Sequence, residues 1–146
     1  MTRYEQTIDA IVKDRSVLSQ RCVEATDPSK TLMIIKDLRK TASILDRNPK
    51  LRCLGLSANQ IGYNARIFVL KNQRGKFEPF VNPEILRGMG SKPSTEGCFS
   101  FPGVRRTVDR FMSIMVIDES NKVQKFTGIM AIAFQHELNH LDGEII

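Results

Sequence analysis

The spacing of apolar residues changes period twice along the chain, from helical to strand-like near residue 51 and back to helical near residue 127. Residues 4 to 18 set Ile8, Ile11, Val12 and Leu18 among charges, which predicts a first helix. Asp27 followed by Pro28 reads as an N-cap and first helical position, and Leu32, Ile35, Leu38, Ala42 and Leu45 then recur at steps of three and four. This amphipathic helix is expected to stop near Asn48 and Pro49, because the residue before a proline is pushed out of the helical region. Beyond it, the short apolar runs 67–70, 80–81, 112–117 and 122–126 alternate with Gly, Asn and Pro, the texture of strands and turns. The segments 72–75 and 119–122 fall between strand candidates and predict antiparallel hairpins. Thr127 is a candidate cap for a last helix whose Ile129, Ile132, Ala133, Phe134 and Leu141 predict heavy burial, with Gly143 placed to end it. The order predicts an α+β fold, with antiparallel β-sheets packed around a central C-terminal helix and further helices at the N-terminal side. No repeat or linker breaks the pattern, so residues 1–146 are expected to form a single domain.

Composition narrows the function classes. With 41% hydrophobic and 26% charged residues, and only 9 Gly and 6 Pro, collagen-like and largely disordered chains are excluded. The longest apolar run, 129–134, is far below the roughly 18 residues of a membrane span, so no membrane partner is expected. Charge in the opening residues, where a signal peptide would be apolar, leads to a cytoplasmic expectation. Cys22, Cys53 and Cys98 form no CxxC pair, and reduced thiols are expected. The formal charge of +6 raises a nucleic-acid-binding reading. The charges are scattered and Trp is absent, so no specific nucleic acid is expected.

The only two histidines fall in His136-Glu137-Leu138-Asn139-His140, an HExxH string. At 100° per residue the two imidazoles lie about 40° apart on one helical face, the spacing that a single metal ion bridges. Two hydrogen-bonded core histidines are the plain alternative, but burying imidazoles without partners is costly. A catalytic metal site needs a third protein ligand and an open position. The metzincin continuation HExxHxxGxxH does not supply it: Gly143 fits, but Ile146 stands where the third His belongs. The third ligand must then come from upstream. The best candidate is Cys98 in Glu96-Gly97-Cys98-Phe99-Ser100, where Gly97 permits close backbone approach.

Three segments resemble the signature motifs of the peptide deformylases: Gly55-Leu56-Ser57-Ala58-Asn59-Gln60 with Ile61-Gly62 following, Glu96 to Ser100, and Gln135 to His140. Phe80-Val81-Asn82-Pro83 is similar to that family's Asn-Pro segment, so the resemblance covers about residues 30 to 143. It implies that Cys98, His136 and His140 hold one divalent metal ion, ferrous iron first, with Zn2+, Ni2+ or Co2+ able to replace it. It implies that Glu137 is the general base and later the proton donor, and that the Gln60 amide and the Phe99 backbone N–H form an oxyanion hole. The implied reaction is hydrolysis of the formyl group of N-formylmethionyl peptides, giving formate and a free amino terminus. The resemblance further implies an extended peptide between segments 53–55 and 97–99, running along Gly55 and Gly97. Leu54, Ile132 and Ala133 would line the methionine pocket, and Arg105 would meet the peptide further along. A metallopeptidase acting on peptide bonds is the alternative, weakened by the missing downstream ligand.

Departures from the family pattern carry expectations of their own. Asn139 replaces the Asp of the family's HExDH and removes a negative charge near the ligands. Cys53 stands where Gly is usual and Ser57 where Ala is usual, and both are expected to alter the peptide-binding wall. Arg105, Arg106 and Arg110 read either as a solvated face or, for Arg110, as a brace paired with Glu96. The sequence stops three residues after Gly143, short of the family's carboxy-terminal helix, so only a weak ribosome contact is expected, favoured by the +6 charge.

Overall fold

A computed structural model describes residues 1–146. The expected first helix is two short ones, α1 (Arg3–Ala10) and α2 (Arg15–Leu18), each with its own cap. Thr2 and Glu5 close a capping box on α1, and the Asp14 carboxylate accepts from Ser16 N at 2.9 Å to start α2. The chain between them is used elsewhere: Val12 N–H donates to the Gln60 carbonyl at 2.8 Å.

Helix α3 (Pro28–Leu45) begins as expected, with the Asp27 side chain accepting from Ser29 N and Lys30 N. Its buried face is Thr31, Ile34, Ile35, Leu38, Ala42 and Leu45, while Leu32 is 69% exposed. Leu32 lies about 60° beyond Ile35 on the helical wheel, just past the packed stripe. The helix ends at Leu45, short of the proline signal. Asp46 caps it, and its carboxylate accepts from Cys53 N and from Lys71 Nζ.

Strands β1 (Gly55–Ser57), β2 (Ile67–Lys71) and β3 (Phe77–Val81) form one antiparallel sheet in that order. Strands β4 (Glu84–Cys98), β5 (Phe101–Ile117) and β6 (Gln124–Thr127) form the second. Both expected hairpins are present, joining β2 to β3 and β5 to β6. Strand β2 explains its own unbroken apolar run. Ile67 and Val69 face α3, whereas Phe68 and Leu70 face α4 (Gly128–Leu141), so the strand is buried on both sides. Phe68, Phe80, Phe126 and Phe134 meet at centroid separations of 5.0–5.9 Å and join α4 to both sheets. The α+β arrangement with a central last helix is thus what forms.

Strand β4 has no counterpart in the sequence reading. It is exposed over most of its length and contains Gly88, Gly90 and Pro93, so no apolar alternation marks it. Its pairing with β5 jumps from Gly97↔Arg105 to Cys98↔Phe101. Residues 102–104 therefore bulge out around Gly103, at φ +78°, beside Cys98. Thr127 occupies the N-cap of α4, but its side chain makes no capping bond. No helix is long and apolar enough to cross a membrane.

Gly143 ends α4 with φ +78°, and a Cβ there would lie 2.5 Å from the Ser19 carbonyl oxygen. Gly75 has nearly the same φ, +77°, with open space around it. Gly143→Ala is therefore expected to cost about 3 kcal/mol in urea unfolding, against about 1 kcal/mol for Gly75→Ala. Equal losses would show that the Ser19–Gln20 backbone moves aside freely.

Candidate metal centre

One turn of α4 carries His136 and His140, whose Nε2 atoms face each other at 3.0 Å with rings at 80°. Strand β4 ends at Cys98 and delivers its Sγ to 3.4 Å from His140 Nε2. All three donor atoms lie within 4.8 Å of one another. Tetrahedral bonds of about 2.0–2.1 Å to nitrogen and 2.3 Å to sulfur require donor separations of about 3.3–3.6 Å, so the set fits one ion with small adjustment. It is the one group of three such side chains that converges in the chain.

Two of the candidate ligands, His136 and Cys98, are oriented by residues outside the set. His136 Nδ1 lies 2.7 Å from Glu96 Oε1, which leaves Nε2 as the donor. Arg110 clamps the same carboxylate through Nε at 2.9 Å and Nη2 at 2.8 Å, so the brace read from sequence is present and buried. Burial alone would raise the Glu96 carboxyl, but the bonds from Arg110 and His136 outweigh it and hold it at about 2. His140 is pushed down to about 3 by burial and by its neighbour His136, the neutral form a metal requires. Cys98 Sγ accepts from Gln60 Nε2 at 3.2 Å and from Ser100 N at 3.4 Å.

Gln60 sits in a 3-10 turn (Ala58–Ile61) directly after β1. Its Oε1 accepts from Ser57 N and Ser57 Oγ, which points the amide nitrogen at Cys98. Ser57 is fully buried and does not line the cavity, so the expectation that it alters the peptide wall is corrected: it orients Gln60. Cys53 is likewise buried behind the wall, bonded to the Gly55 carbonyl. Asn59, which the sequence did not single out, donates to the His140 carbonyl at 2.8 Å and fastens the turn to α4.

Glu137 is buried at the floor of the cavity, and its Oε1 is the single buried side-chain oxygen or nitrogen with no hydrogen-bond partner. Burial pushes its carboxyl up to about 7 against the pull of His136. A Cβ on Gly55 would lie 3.0 Å from Glu137 Oε2 and 2.8 Å from Leu70, whereas one on Gly97 would meet nothing nearer than 3.7 Å. Gly55, more than Gly97, is the glycine this packing demands.

The cavity, about 420 Å³, brings together nearly all the residues expected from sequence: Leu54, Gly55, Gln60, Gly97, Cys98, Phe99, Arg105, Ile132, Ala133, His136 and Glu137. His140 lies behind it. Arg52, Ser94, Thr95 and Ile129 also line it and were not foreseen. They flank motif residues on strand edges or the helix start, positions with no spacing signal of their own.

The family model described as polypeptide deformylase matches residues 8–146. The chain belongs to the polypeptide deformylase family. It is 38% identical over 104 residues to a peptide deformylase of Heliobacterium modesticaldum, covering 68% of each chain. It is 32% identical over 143 residues to peptide deformylase 1 of Bacillus anthracis, covering 93% of this chain and 87% of that one. Its fold is similar to the crystal structure of peptide deformylase from Thermotoga maritima, with a TM-score of 0.78, 28% identity, and 93% and 92% of the two chains covered. These relatives do not favour the metallopeptidase reading. Deformylase family membership and the Cys-His-His set together support a single metal ion.

Within this deformylase frame Asn139 has partners on both sides. Its Oδ1 accepts from Arg110 Nη1 and its Nδ2 donates to Glu144 Oε2 at 2.8 Å. Asn139 thus puts a neutral acceptor on Arg110 where the family's Asp would put a charge, and its partner Glu144 is exposed to water. Because Glu96 orients both His136 and Arg110, Glu96→Gln is expected to weaken metal binding by about 10–100-fold in chelator competition. Unchanged affinity would mean that His136 holds its orientation without the carboxylate.

Proposed function

We propose that this site removes the N-formyl group from the initiator formylmethionine of nascent polypeptides, releasing formate, with residues 1–146 acting as one catalytic unit. The observation that carries the reading is Glu137 Oε1, a buried carboxylate oxygen without a protein partner beside three converging metal donors. Ferrous iron is the proposed resident ion, with Zn2+, Ni2+ or Co2+ as substitutes, since a thiolate and two imidazoles suit borderline cations. Held by Cys98, His136 and His140, the ion supplies Lewis-acid polarisation and lowers the pKa of water toward 7.

Glu137 accepts a proton from the attacking water at Oε1. The water oxygen bonds to the formyl carbon, the carbon–nitrogen bond breaks, and Glu137 returns the proton to the departing amine. Gln60 Nε2 and the Phe99 N–H donate to the oxyanion. Two features support those roles: no protein acceptor takes the Phe99 N–H, and Ser57 fixes the Gln60 amide. The peptide lies between β1 and β4, each the outer strand of its sheet, which leaves backbone groups free for strand addition. Leu54, Ile129, Ile132 and Ala133 offer an apolar pocket for the unbranched methionine side chain. Arg105 meets the peptide downstream. A weak ribosome contact and a cytoplasmic setting accord with the +6 charge and with the nascent-chain substrate.

Formate release from a formyl-Met tripeptide by anaerobically purified, iron- or nickel-loaded protein tests the assignment. Glu137→Gln is expected to abolish release while the metal stays bound, and Gln60→Ala to lower kcat by about 10²- to 10³-fold. No release from the loaded wild-type protein would remove the deformylase assignment for this chain.

A further inference from the structure

The charge at the mouth of the cavity is one-sided. Of the two carboxylates in its wall, Glu96 is bonded on both oxygens by Arg110 and His136, and Glu137 is buried at the floor. The exposed charges that remain are Arg52 and Arg105. Neither makes a salt bridge. Arg105 donates only to the Thr95 carbonyl at 3.3 Å, and the Arg52 side chain makes no hydrogen bond within the protein.

Their positions follow from the two walls. Arg52 immediately precedes the 53–55 segment that leads into β1, and Arg105 pairs in register with Gly97 on β4. The two cations thus flank the proposed peptide path from opposite sides. The rest of the outer lining carries no charge: Ser94 and Thr95 of β4, and Leu54 and Ile129, exposed by 38% and 62%. Guanidinium groups present a fork of donors matched to a carboxylate, and two of them without acidic partners form a place for one.

We propose that Arg52 and Arg105 form a carboxylate subsite that selects nascent peptides with Asp or Glu within the first three residues after formylmethionine. The proposal rests on the deformylase reading. An extended peptide advances about 3.3 Å per residue, so a side chain two or three residues past the methionine pocket reaches the cavity mouth. The +6 charge of the whole chain would attract any acidic peptide, but only a local pair makes the position of the acid matter.

The test uses C-terminally amidated hexapeptides beginning with formylmethionine, so that no terminal carboxylate competes, with Asp or Asn at each later position. With metal-loaded protein at low salt, Asp at one of the first three downstream positions is expected to raise kcat/KM about three- to tenfold over Asn, mainly through KM. The ratio is expected to shrink as salt rises. Arg52→Gln combined with Arg105→Gln is expected to bring the ratio close to one, and Arg52→Glu with Arg105→Glu to favour Lys over Asp. Calorimetric binding of the same peptides without the formyl group reads the subsite independently of turnover.

A gain equal at every position, a ratio near one in the wild type, or an Asp preference that survives the double substitution would overturn the proposal. Absence of formate from every peptide would instead overturn the deformylase reading. Preferential binding of the Asp peptides would then still support the subsite, and equal binding would end it.

Discussion

Glu96 lies buried between the Arg110 guanidinium, which bonds both of its oxygens, and His136 Nδ1, and the placement of every candidate ligand follows from that arrangement. The carboxylate fixes which imidazole nitrogen is free, and that nitrogen faces His140 across 3.0 Å. The same residue is two positions before Cys98, so the bond that orients one histidine also sets the height at which β4 presents its thiol. A buried ion pair in isolation gains little over an apolar contact, because desolvation opposes it. Here the pair has a third partner and joins a hairpin to a helix, and its contribution is to geometry more than to stability.

Helix α4 must be both core and site, and its sequence divides those tasks by position. Ala131, Ala133, Phe134 and Leu141 supply the apolar contact with both sheets. Gln135, buried among them, accepts from the Phe111 backbone N–H and donates to the Phe111 and Ala131 carbonyls, which locks β5 to the helix without a net charge. Buried polar atoms are ordinarily paired, because an unpaired one loses its water and gains nothing in return. Glu137 Oε1 is the exception, on a residue that lines the cavity, and in the proposed reaction the attacking water would supply the missing bond.

The elements legible in the sequence were those whose apolar pattern is set by burial. Helix α3, the β2–β3 and β5–β6 hairpins and α4 are all of this kind. Strand β4 was not legible because it is held by backbone pairing with β5 and exposes most of its side chains. Leu32 was assigned to a buried face it does not join, since a periodic count cannot tell the edge of a stripe from its centre. At the site, the HExxH spacing needed only helix geometry, and Cys98 needed the absence of another ligand. The buried role of Ser57 was invisible because it depends on a tight turn folding back beneath β1. Arg52 carried no signal because exposed arginines are common and its meaning lies in what surrounds it.

The amide at position 139 shows how a charge can move without being lost. Arg110 already has one carboxylate, Glu96, on two of its nitrogens, and the buried pair is close to neutral. An Asp at 139 would add a second negative charge beside Glu96 and a few residues from Glu137, whose carboxyl Glu96 already pushes upward. Asn139 keeps the acceptor that Arg110 needs and adds a donor that only an amide has, which it gives to Glu144. Glu144 is exposed, so the negative charge sits in water, where screening limits its effect on the buried groups. Asn139 and Glu144 are therefore best understood together, as one hydrogen-bonded extension of the Arg110–Glu96–His136 chain that leaves the interior neutral.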